Sequence, residues 1–156
     1  MNPELVNDDR GEVLHAALRG VVGAMAMSGM RTFTKNMGLL RETPPEAIAK
    51  KRRPTGLIRL VPRSRRAAFV ELVHWGVGAA GGVAFGLLPD RVRNQVWAGP
   101  VHGVLILVPY ELVVSPALGL GHWNRRDTSE HVSLVVDHLL YGFVLSQFRR
   151  RPVDEP

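Results

Sequence analysis

The residues best suited to chemistry in this chain are histidines and carboxylates set inside apolar sequence. Glu71 and His74 interrupt AAFVELVHWGVGAAGGVAFGLL at 67–88. His102 and Glu111 fall within 96–120. Asp137 and His138 sit in HVSLVVDHLLYGFVLSQF at 131–148, with Glu130 and His131 at its mouth. Histidine beside carboxylate is suited to exchanging a proton between pH about 5 and 8. An ionisable group in hydrocarbon costs several kcal/mol unless it is paired, hydrated or neutralised. Leucine or valine would serve a fold without that cost, so these groups ask for a role.

The elements that must position them are apolar. Four windows, at about 13–33, 67–88, 96–120 and 131–148, alternate with short polar or basic connections. Each is roughly 18–25 residues, the length that crosses about 30 Å of hydrocarbon at about 1.5 Å per residue. The expected fold is all-α: one domain over 1–156, an integral membrane bundle of four transmembrane helices. The acidic, polar start MNPELVNDDRGE lacks the basic opening and immediate apolar core of a secretory signal, so the first window is expected to remain in the mature protein.

Depth turns scattered polar residues into one candidate site. Counted from the helix ends on the side of the first and third loops, Glu71 lies about 6 Å in and His74 about 10 Å. Glu111 lies about 12 Å in, Asp137 and His138 about 9–10 Å, and Ser28 about 9 Å. Glu130, eight residues before His138, is compatible with the same helix face. His102 lies far from this level and is expected to be an isolated packing or interfacial histidine.

Three roles compete for the cluster. Its members can bond one another and set the register of the bundle. They can line a wet cavity that senses or relays protons or binds a small solute. Or His74 and His138, with Glu71, Glu111 or Asp137, can hold a metal. Glu-x-x-His occurs twice, at Glu12/His15 and Glu71/His74, but the two lie near opposite faces, which argues against a di-iron bundle site. The chain has no cysteine, which excludes disulfides and thiolate ligands. It has no nucleophile elbow, Walker lysine or H-E-x-x-H. No catalytic residue and no cofactor are therefore expected.

Small residues recur every four positions, which places them on one helix face and lets backbones approach. Ala16, Gly20, Ala24 and Ser28 form one such stripe, Gly78, Gly82 and Gly86 a second, and Gly99 and Gly103 a third. The long basic loop, 35–66, has Thr43 as a candidate helix cap before Pro44 and Pro45. Lys50, Lys51, Arg52 and Arg53 are expected to contact lipid head groups, beside the apolar island GLIRLV at 56–61. A solvated basic loop is the plain alternative. Nucleic acid is not expected, because the segment has no aromatic side chain to stack on bases. Residues 31–66 hold eleven Lys/Arg, and the basic count sets the first and third loops inside, thirteen against seven.

From Glu71 to Arg150 the chain resembles the YagU-like family of small bacterial inner-membrane proteins. The likeness lies in His74 followed by a Gly-rich span, a third span ending near Pro116-Ala-Leu-Gly-Leu, then Glu130-His131-Val-Ser, Asp137-His138-Leu-Leu-Tyr-Gly and Arg149-Arg150. It implies a multi-pass protein of the bacterial plasma membrane, with no defined activity. It singles out His74, Glu130 and His138. The expected partners are the bilayer, anionic lipids, and either a second copy or other membrane subunits of a larger complex.

Overall fold

A computed structural model describes residues 3–38, 56–117 and 128–147. Every element among them is helical. α1 is Pro3–Asn36, α2 is Arg66–Gly86, α3 is Ala98–Pro109 and α4 is Thr128–Gln147. Two 3-10 turns, Gly56–Leu60 and Arg63–Arg65, lead into α2. A single helical turn, Asp90–Arg93, joins α2 to α3.

The helices sit where the apolar windows are, with shifted ends. α1 starts ten residues before its window, at Pro3. It stops where Gly38, at φ +77°, takes the left-handed conformation that ends helices, with the Gly38 N–H donating to the Lys35 carbonyl at 2.9 Å. α2 ends at Gly86, whose carbonyl accepts from Arg93 Nη1 at 2.7 Å, a cation placed at the negative end of the helix. The third window is not one regular helix. A π-helical turn, Tyr110–Val114, follows Pro109 and precedes Pro116 in the short helix Ser115–Ala117. Neither proline can donate a backbone hydrogen bond, and the backbone between them widens by one residue per turn.

Glycines bring the helices together in antiparallel pairs. A Cβ on Gly20 would fall on the Gly78 carbonyl, and one on Gly82 would fall on the Ala16 carbonyl. A Cβ on Gly86 would lie 2.7 Å from that of Ala16, and one on Gly78 would lie 2.6 Å from that of Ala24. The α1 and α2 stripes read from the sequence therefore face each other along their lengths. Gly99 meets the Gly142 carbonyl and Gly103 meets the His138 carbonyl, which sets α3 on α4 just as closely. Close backbone approach maximises dispersion contact between the paired helices.

The two pairs join where α1 meets α4 and where side chains cross. The Tyr141 hydroxyl donates to the Gly78 carbonyl at 2.6 Å, and Met27, Phe85, Ala98, Tyr141 and Leu145 pack as one apolar cluster. His102 is the packing histidine its depth implied. Its Nε2–H donates to the Gly81 carbonyl at 2.9 Å, and its ring lies 5.2 Å from that of Phe85.

Of the 35–66 segment, residues 35–38 and 56–66 are described. Lys50, Lys51, Arg52, Arg53 and the Thr43 cap lie outside them.

Candidate functional site

Three helices deliver the polar cluster, each with two residues. Ser28 and Arg31 are three apart on α1, and Glu71 and His74 are three apart on α2, so each pair shares a face. Asp137 and His138 are adjacent on α4 and diverge by about 100°. Asp137 thereby faces α1, while His138 lies toward α3, its ring 6.1 Å from that of Tyr110.

The strongest contact is one that the spacing did not reveal. Arg31 Nε donates to Asp137 Oδ2 at 2.6 Å, with the two side chains 7% and 2% exposed. Arg31 was counted with the loop cations; it belongs inside the bundle. The signal was present, since Arg31 lies three residues after Ser28 and seven after Ala24, on the buried stripe of α1. Arg31 Nη2 is buried and has no hydrogen-bond partner among the described residues.

A second set of contacts ties α1 to α2. The Ser28 hydroxyl donates to Glu71 Oε2 at 2.8 Å. Because that hydroxyl has one proton, its oxygen is left to accept from His74 Nδ1 at 3.4 Å; the same nitrogen is 3.9 Å from Glu71 Oε2. His138 Nδ1–H donates to the Leu134 carbonyl at 2.8 Å. These bonds assign Nδ1 as the donor in both rings, leaving Nε2 as the proton acceptor of each neutral histidine.

Five of the six residues placed at one depth are thus gathered on three neighbouring helices: Ser28, Glu71, His74, Asp137 and His138. Glu111 is partly buried in the π-helical turn, next along the chain to Tyr110. The Glu130 side chain lies outside the described residues. His15 is exposed, thirteen residues before Ser28 on α1, about 20 Å from the cluster.

Electrostatics decide what the cluster can hold. Arg31 carries one positive charge, and Asp137 and Glu71 carry two negative charges. With both histidines neutral the set is one positive charge short. Exposure rises along it, from Asp137 and His138, at 2% and 4%, through the His74 side chain at 12% to that of Glu71 at 31%. Among the described residues, no three His, Asp or Glu side chains converge as a metal site.

Gly81, Gly142 and Tyr141 are further residues that the sequence reading missed. Gly142 and Ser146 are four apart on α4 and meet Gly99, so the same small-residue spacing marked them. No protein-family model matches this chain, and no curated protein or solved structure matches it significantly.

Proposed function

We propose that this chain is a multi-pass protein of the bacterial plasma membrane whose intramembrane cluster takes up and hands on a proton. Two helices are long and apolar enough to cross a membrane, Val13–Asn36 and Arg63–Gly86. Only 22% and 28% of their apolar windows are covered by the rest of the chain, whereas the core helix of a soluble protein is mostly covered. Residues such as Leu18, Val22, Leu72, Leu105, Val136 and Phe143 face outward, while Arg31, Asp137 and His138 face inward. That inversion suits a hydrocarbon surround. α2, α4 and the stretch 98–117 each reach about 30 Å, which supports a four-span bundle.

The observation that carries the proton reading is the enclosed Arg31–Asp137 pair flanked by Glu71, His74 and His138, one positive charge short. In a low dielectric such a set is completed by a proton, which Nε2 of either histidine can accept. Glu71, the most exposed member, is the entry point. The groups facing the histidines are Ser28 and Arg31 from α1, Glu71 from α2 and Tyr110 just past α3, with Asp137 next to His138 on α4.

A test is the melting temperature of detergent-purified protein across pH 3 to 8. Wild type should change over this range, and His74→Leu and His138→Leu should each flatten the change. If both variants track wild type, the proton reading is wrong.

One observation favours assembly as a second reading. Ala68, Leu72, Gly76, Ala80 and Ala84 are all exposed on one face of α2, and nothing lies within 4 Å of a Cβ added at Gly76. A face of small residues suits a second copy of this chain. Since the chain has no cysteine, Gly76→Cys introduces a single thiol. Oxidation in membranes should yield a crosslinked dimer. Leu105→Cys, on the outer face of α3, should not; equal crosslinking at both would remove this reading.

A further inference from the structure

The segment 56–66 enters α2 at the end of the bundle that holds the cluster. Ile58 pins it there. It is 1% exposed and packs on Val70, with Phe69, Val73 and Val114 around it. Backbone bonds make the segment a defined shape: Val61 N–H to the Ile58 carbonyl at 3.1 Å, and Arg65 N–H to the Pro62 carbonyl at 2.9 Å. Arg66 Nε donates to the Val61 carbonyl at 3.1 Å, closing the turn onto α2.

What this turn presents outward is an unusual pair of chemistries. Leu57 and Leu60 are 57% and 73% exposed. Between and beyond them Arg59, Arg63 and Arg65 are exposed as well, and residues 56–66 contain no Asp or Glu. Water suits the arginines and not the leucines; hydrocarbon suits the leucines and not the arginines. Only the boundary between acyl chains and head groups suits both.

We infer that residues 56–66 form a docking surface for anionic phospholipid, with Leu57 and Leu60 at the acyl boundary and Arg59, Arg63 and Arg65 on head-group phosphates. The inference rests on the membrane location proposed above but not on the proton reading. Charge complementarity selects the lipid. Three guanidiniums with no acidic partner among the described residues attract a net negative head group, and guanidinium matches phosphate oxygens with paired N–H donors. Ile58, anchored in the bundle, fixes the turn that carries them at the foot of α2.

The test uses purified full-length protein in neutral detergent, titrated with phosphatidylglycerol, phosphatidylcholine or inorganic phosphate. Bound lipid is counted by native mass spectrometry and melting temperature is followed in parallel. Phosphatidylglycerol should bind and raise the melting temperature by roughly 2–4 °C. Each arginine is expected to give roughly a five-fold gain in affinity, so the Arg59→Gln/Arg63→Gln/Arg65→Gln variant should bind phosphatidylglycerol about 100-fold more weakly. Its melting temperature without lipid should equal that of wild type, since all three side chains are exposed. Three results overturn the inference: unchanged phosphatidylglycerol binding by the variant, an equal response to phosphatidylcholine, or reproduction of the shift by inorganic phosphate alone. A protein that binds neither lipid and stays out of the membrane fraction would instead overturn the membrane location itself.

Discussion

Asp137→Ala is expected to destabilise the bundle by about 3–5 kcal/mol, because it leaves the Arg31 guanidinium buried without its counter-ion. Arg31→Ala should cost a similar amount by stranding Asp137, which is 2% exposed. The double variant Arg31→Leu/Asp137→Leu is the decisive member of the series. Replacing both charges by apolar groups of comparable bulk removes the desolvation penalty together with the pair, and the outcome is often neutral or stabilising. Its stability should therefore return close to wild type. Unfolding of the purified proteins in graded anionic detergent measures the cycle. Additive losses in the double variant would mean that Arg31 and Asp137 act through other partners. The same double variant should keep its pH response, because Glu71 beside the two neutral histidines is still one positive charge short. A stable protein that keeps its proton response would assign the pair to the fold and the response to Glu71 and the histidines.

The second large effect is steric. Gly20→Ala and Gly103→Ala each add one methyl group, and each methyl would fall on a backbone carbonyl, of Gly78 and of His138 respectively. Backbone cannot give way as a side chain end can, so α1 must move off α2 in the first variant and α3 off α4 in the second. A loss of about 1–3 kcal/mol or more is expected from overpacking alone. Gly29→Ala is the contrast. Gly29 is exposed on α1, and nothing lies within 4 Å of a Cβ added there. The substitution removes the helix penalty of glycine and should stabilise by up to about 1 kcal/mol. Heat or detergent unfolding of the three variants would check the sign. If Gly20→Ala and Gly29→Ala behaved alike, the close α1–α2 contact would not be the one that holds the bundle together.

Both predictions draw on residues of unequal legibility. Gly20 and Gly103 were marked by four-residue spacing before any helix was placed. Asp137 was marked by its setting in an apolar run. Arg31 was not, because it stands where a span gives way to a basic loop, and charge counting assigned it to the loop. Its stripe position on α1 pointed inward, but only the approach of α4 converts an inward arginine into a salt bridge. The reading of 96–120 as one span did not foresee the π-helical turn between Pro109 and Pro116, which depended on how the chain resolved its two missing donors.

What the sequence by itself determined are the properties carried by short stretches of chain. These are the four apolar helices, the faces on which small residues repeat, and the common depth of Ser28, His74, Asp137 and His138. They follow from helix period, rise and side-chain type, which are local. Only the tertiary structure decided which helices are neighbours, and with that which charges meet. Arg31 finds Asp137 across 106 positions and Ser28 finds Glu71 across 43. A buried charge takes its energy from the partner beside it and not from the residues before and after it. Its role is therefore settled by packing, after local structure has only set the height at which it stands.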